Sequence, residues 1–281
     1  MTKIVFIADV FAEQWLGGGE LNNQQLIELL KDRGCEVFAV KSDTVKIDFL
    51  QNLQSDVRII ISNFTRLSED CKNHIKEKCQ YLIYEHDHKY LRSRDPSVFE
   101  NYTAPDEEII NLEFYKNAKA VICQSKLHAD VVKRNIKSDN VVSVGGNLWS
   151  LEVLDLLSSL GKKEKKEAYS IWNSHNPIKN APLARAYCIR RNLQYDLIGD
   201  MPYKDFLIRL TDNKYFIFLP QTLETLCRVV VECRMAGMTV LTNNKLGAVS
   251  EDWFSLKGDE LIDTMRKKRE EIPSLVLEKL K

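Results

Sequence analysis

Short apolar, β-branched runs alternate with amphipathic stretches along the first half of the chain. The runs fall at residues 4–8, 36–40, 57–62, 81–85, 120–124 and 141–144, and unbroken runs of this length suit strands covered on both faces. Between the first two, residues 21–33 place Leu26, Ile27, Leu29 and Leu30 on one stripe and stop at Gly34, which predicts a helix packed by that stripe. Strand and helix in alternation predict a parallel, doubly wound α/β sheet.

A predicted helix at 151–160 is followed by Gly161-Lys162-Lys163-Glu164-Lys165-Lys166-Glu167, a charged run that cannot bury. We place a domain boundary there; a solvated helix end inside one domain is the alternative. The pattern then restarts, with strands at 168–172, 195–198, 215–219 and 239–242 and helices at 183–191, 203–210 and 225–236. The expected organisation is a Rossmann-like lobe at 1–160, a second and smaller one at 161–258, and a helical segment at 259–281 able to pack back on the first. Its helix, 260–271, is expected to end before Pro273. Two such lobes imply a cleft between facing strand ends, where ligands of open α/β sheets bind.

Composition narrows the classes. A chain of 281 residues, 44% hydrophobic and 28% charged, can build a substantial core. Forty basic residues balance forty acidic ones, so no global field draws in nucleic acid or an anionic membrane, although a local patch is compatible with this. The start runs straight into a strand pattern, with no transmembrane segment and no signal peptide expected. Seven cysteines without a C-x-x-C pair suggest neither a disulfide framework nor a zinc knuckle, and a cytoplasmic location fits them.

The most informative stretch, residues 218–237, reads strand, loop, helix, with Glu224 at the expected helix start and Glu232 eight positions on. On a helix the two carboxylates would lie about 80° apart around the axis, so both could face one cleft. Spacing alone favours a stripe of Glu224, Arg228 and Glu232 making ion pairs on an exposed face. The whole segment resembles the nucleotide-binding signature of retaining GT-B glycosyltransferases of family 4, E-x7-E after a strand ending in Pro and before an Ala-Gly turn. Pro220, Glu224, Arg228, Glu232, Ala236 and Gly237 stand at the matching places. Cys227 and Cys233 depart from it, where Gly and Ala are usual.

The resemblance extends outward in the family's order. Gly17-Gly18-Gly19-Glu20 precedes a helix as the family's Gly-Gly loop does, and glycines there let backbone amides approach an anion. In the second lobe, residues 172–180 resemble the G-R-x4-K-G segment: Lys179 matches the lysine, and Ser174 stands in place of the arginine. His175 or Arg228 is a candidate replacement for that cation. Tyr84-Glu85-His86-Asp87-His88 ends a predicted strand. Its H-x-H could serve a metal, but no other element supplies further ligands at a recognisable spacing, and no bound metal is expected. Family members carry an active-site His at this strand end, which makes His86 the acceptor-side candidate, with Asp87 and Glu20 beside it.

The resemblance implies a compact, two-lobed GT-B enzyme that moves a sugar from a nucleotide-diphosphate donor to an acceptor hydroxyl, with retention and without metal. It needs no cofactor, the nucleotide sugar being a co-substrate. Lys179 and the amides near Cys227 and Arg228 would stabilise the diphosphate, with Ser174, Gly18 and Gly19 beside it. Glu232 would take the ribose hydroxyls and Glu224 the sugar hydroxyls. The acceptor stays open among glycan, lipid-linked sugar, protein and modified nucleic acid. A catalytically silent nucleotide-sugar-binding subunit, and a GT-B epimerase or phosphorylase, are the rival readings.

Overall fold

The apolar runs become two parallel sheets in the computed structural model, which describes residues 1–281. The chain divides into two units, Met1–Leu148 with Arg269–Lys281, and Trp149–Lys268.

In the first unit, strands β1 (Lys3–Ala8), β2 (Glu36–Lys41), β3 (Arg58–Ile61), β4 (Gln80–Tyr84), β5 (Val121–Cys123) and β6 (Val141–Ser143) lie in the order β2-β1-β3-β4-β5-β6. Helices α1 (Gly18–Asp32), α2 (Ile47–Gln51), α3 (Glu69–Lys78), α4 (Leu112–Lys116) and α5 (Lys126–Ile136) connect them. Successive residues of β1 serve opposite faces: Ile4, Phe6 and Ala8 pack with Leu26, Leu30 and Ile272, while Val5 and Ile7 pack with Ile59, Ile75 and Phe64. Because both faces are covered, the strand reads as one unbroken apolar run. The strand order reverses between β1 and β3, which opens a crevice beyond their C-terminal ends.

The second unit holds α6 (Leu151–Gly161), β7 (Lys166–Trp172), α7 (Ala181–Arg190), β8 (Tyr195–Ile198), α8 (Tyr203–Leu210), β9 (Asn213–Phe218), α9 (Arg228–Met235) and β10 (Thr239–Thr242). Its sheet has the order β10-β9-β7-β8, so the reversal falls between β7 and β9. The division at Leu148/Trp149 precedes the boundary expected at 160/161. The reason is α6, whose Val153, Leu154, Leu157 and Leu160 join Phe216, Val230 and Met235 in the core of the second unit. The charged run 161–167 therefore spans the end of α6, a turn at 162–165 and the start of β7, and is not a linker between domains.

The last helix, α10 (Asp259–Lys279), does not stop before Pro273 as expected but runs through it. Proline there removes the N–H that the Arg269 carbonyl would accept. Arg33 replaces it, donating Nη2–H to Arg269 O at 3.2 Å while its guanidinium pairs with Glu270 at 2.6 Å. Beyond that point Ile272, Val276 and Leu280 pack into the first unit.

Candidate active site

In the first unit, α1 begins at Gly18 with Gly17 as its N-cap, and no side chain caps it. By contrast α3, α5 and α6 each start on a serine whose hydroxyl accepts an amide of the first turn. The Glu20 carboxylate lies against Gly17, where a Cβ would make it shift. Gly19 lies against the His86 ring, which a Cβ would meet at 3.4 Å. Glu20 accepts from Asn63 Nδ2 at 3.2 Å, and burial lifts its carboxyl above the ordinary glutamate value.

His86, just past β4, is held at both ring nitrogens. Its Nε2 faces Asn23 Oδ1 at 2.6 Å, and its Nδ1 accepts from the Gln124 side-chain amide. That pattern fixes the neutral tautomer with the proton on Nε2. Burial, then the Lys89 charge, lowers its pKa well below the ordinary histidine value. Asp87 accepts the His88 amide at 2.5 Å and pairs with Arg94 at 3.2 Å, which ties it into the loop. His88 points elsewhere, toward the Tyr90 hydroxyl at 3.0 Å and the edge of His128. The two histidines of H-x-H thus serve different networks, and no group of three or more His, Cys, Asp or Glu side chains is gathered to hold a metal ion.

Beneath this loop sits an ion pair the sequence did not reveal. Glu85 is fully buried and accepts from Lys89, from the Tyr115 hydroxyl and from the Asp87 amide. It secures the strand end that presents His86. Asn23, Gln124 and Asp9 were also missed. Asp9 accepts from the Ser42 hydroxyl and from the amides of Thr65 and Arg66, at 2.9 and 3.1 Å, joining the loops after β1, β2 and β3.

The second unit brings Lys179 and Glu224 together at 2.6 Å, where the loops after β7 and β9 meet. Lys179 ends a short 3-10 turn, Pro177–Lys179, and Asn180 follows at φ 56°, a left-handed position that Asn tolerates and where the family signature has Gly. Gln221 N–H donates to Ile178 O at 3.0 Å and Asn180 Nδ2 to Leu219 O at 3.1 Å, fixing the two loops to each other. The ammonium also lies 5.6 Å from the centre of the Trp172 ring. Burial works against the charge of Lys179, yet Glu224 prevails and holds its pKa above the ordinary lysine value.

Glu224 is not on a helix, contrary to expectation. It forms a bridge with Leu246, donating its N–H to Lys245 O at 3.0 Å and accepting from Gly247 N at 2.8 Å. The helix starts only at Arg228, because Cys227 adopts φ 72° and ψ 86° and breaks the turn. The stripe of ion pairs at 224, 228 and 232 is correspondingly broken: Glu224 pairs with Lys179, and Arg228 with Glu232 at 3.0 Å.

Glu232 is only 2% exposed. Its Oε1 receives Trp149 Nε1–H at 2.8 Å and the Tyr203 hydroxyl at 2.6 Å and forms an ion pair with the Arg228 guanidinium, which in turn lies 4.4 Å from the centre of the Trp149 ring. Ser174 accepts the Asn176 amide at 3.1 Å and so shapes its turn. Asp200, beyond β8, accepts from Trp172 Nε1 at 3.0 Å. Trp149, Tyr203 and Asp200 carried no motif signal, since each acts through a partner distant in sequence.

No protein-family profile and no curated relative matches the chain. Solved structures do. AviGT4, a glycosyltransferase involved in avilamycin A biosynthesis, is 12% identical with a TM-score of 0.62, over 100% of this chain and 97% of its own. Anabaena HepE, in complex with UDP and glucose, is 12% identical with a TM-score of 0.57, over 97% and 90%. The catalytic domain of starch synthase IV from Arabidopsis thaliana, bound to ADP and acarbose, is 10% identical with a TM-score of 0.56, over 99% and 95%. At these identities the likeness shows the fold: two parallel-sheet α/β lobes, as in the GT-B glycosyltransferases.

Proposed function

We propose that the protein is a glycosyltransferase that moves a sugar from a nucleotide-diphosphate donor to an acceptor hydroxyl. The observation that carries this reading is the Lys179–Glu224 pair at the reversal point of the second sheet. A cation and a carboxylate held together there can separate onto one ligand, Lys179 to the diphosphate and Glu224 to the sugar hydroxyls. The first-turn amides of α9, left without a side-chain cap, add donors for the departing phosphate. In this reading Glu232 offers Oε2 to the ribose, Oε1 being filled by protein donors. On the acceptor side stand Glu20, Asp87 and His86. With both its nitrogens engaged, His86 exchanges no proton and shapes the acceptor side through its ring. The reaction proceeds with retention and without metal or other cofactor, and a cytoplasmic location is supported by seven free cysteines.

Incubating the protein with a panel of nucleotide sugars tests this, with donor hydrolysis, transfer to added glycans and the anomeric configuration of the product read by NMR. Retained configuration and activity in chelator are expected. Inversion would refute retention, and recovery of lost activity by one added divalent ion would refute the metal-free mechanism. One observation favours a silent donor-binding subunit instead, namely Ser174 where the family has a second cation. Tight donor binding with no turnover of any kind would select it.

A further inference from the structure

Helix α7 leaves its larger aliphatic side chains outside. On its sheet it packs Ala181, Ala184 and Cys188 with the half-buried Tyr187, whereas Leu183 and Ile189 are 46% and 59% exposed. With Pro182 and Ala186, both exposed, these two fall in one outward sector about 120° wide. Arg190 lies within that sector, Arg185 about 40° outside it and Arg191 at the end of the helix, all exposed. No acidic residue occurs from 181 to 195, in a chain with as many acids as bases. The partners of two of these arginines are neutral: Arg185 donates to the Tyr195 hydroxyl at 3.2 Å, and Arg191 lies over the Tyr187 ring. Leu197, two residues beyond Tyr195 on the edge strand β8 and on the same sheet face, is also 44% exposed.

A helix of a water-soluble domain normally turns such a stripe toward the core, and aliphatic side chains ringed by cations on the outside call for a cover. A second copy of the chain is a poor cover, because a twofold contact would set arginines against arginines. Nucleic acid would engage the arginines but give Leu183 and Ile189 nothing to enter. An anionic lipid surface meets both features, its phosphates taking the guanidinium groups and its acyl boundary the aliphatic side chains. We propose that α7 docks the protein on an anionic membrane surface. No helix is long and apolar enough to cross a membrane, so this contact is peripheral.

Flotation of the full chain with vesicles tests this independently of any transfer activity. Binding is expected to phosphatidylcholine vesicles containing phosphatidylglycerol and not to phosphatidylcholine alone, and it should weaken with salt. Replacing arginines with Gln at 185, 190 and 191 should lower partitioning about fivefold per residue. Leu183→Ser with Ile189→Ser should abolish it at an unchanged melting temperature, since both side chains point outward. Failure to float with anionic vesicles, or flotation of the variants like the wild type, overturns the proposal. So does retention by duplex DNA, or self-association lost in the Ser variant, in place of lipid binding.

Discussion

Lys179 and Glu224 are each other's counter-ion in a site that is mostly shielded from water. Removing either strands the other, which costs more than the pair itself contributes. Lys179→Met and Glu224→Gln are each expected to lower stability by about 1–3 kcal/mol, and the double variant Lys179→Met, Glu224→Gln by less than their sum. A double-mutant cycle in denaturant measures the coupling, and strict additivity would mean that the two do not act as a pair. Histidines give a second prediction at this scale. Burial pushes His128 down to about 3 and lowers His86 and His88 in the same direction. These groups are neutral when folded and take up protons on unfolding, so their contribution is complete above the unfolded value near 6.5. It is lost as pH falls from there toward 3. Melting temperatures across that range should drop steeply for the wild type and less steeply for His128→Asn; equal slopes would contradict the assignment.

Among the elements, the backbone of Cys227 shapes the start of α9. Its φ of 72° ends the loop and delays α9 to Arg228, and a residue with a Cβ is strained there. Cys227→Gly, the residue of the family signature, relieves that strain but loses a buried thiol. A net change within about 1 kcal/mol is expected, whereas Cys227→Val should cost clearly more, because β-branched residues tolerate positive φ worst. Chemical denaturation of the three proteins decides it, and equal stability of the glycine and valine forms would remove the conformational argument. This loop also shows where reading the chain stops. All ten strands were legible because each is a short, largely apolar run, unbroken where both faces are covered as in β1, β3 and β4, and the Lys179 and Glu224 segments stood out by their resemblance to the family signature. Residues 224–227 read as helix because nothing local announces a cysteine in left-handed backbone. Pro273 read as a stop because its remedy, Arg33, lies far away in sequence. The Asn23, His86 and Gln124 contacts were invisible for a related reason, polar residues on a helix and at strand ends being ordinary until the sheet brings them together.

For the molecule as a whole, equal numbers of acidic and basic residues leave no long-range field to steer an anionic donor. Under the proposed function, donor recognition would come from local groups, and the tryptophans are probes of where it happens. Trp149, Trp172 and Trp253 lie in the second unit, and only Trp15, which is largely exposed, lies in the first. Trp172 is within 5.6 Å of Lys179 Nζ, and Trp149 donates to Glu232. A nucleotide sugar that draws Lys179 onto its diphosphate removes the cation from the Trp172 ring face and changes its emission. At about 100 times its dissociation constant the same ligand should add roughly 2.7 kcal/mol to the unit that binds it. Titration is expected to shift the fluorescence of the wild type and of Trp15→Phe alike, and to lose most of the signal in Trp172→Phe while calorimetry still detects binding. A signal that instead follows Trp15, beside the Gly17–Gly19 turn, would move the donor site to the first unit and overturn the roles given to Lys179 and Glu224.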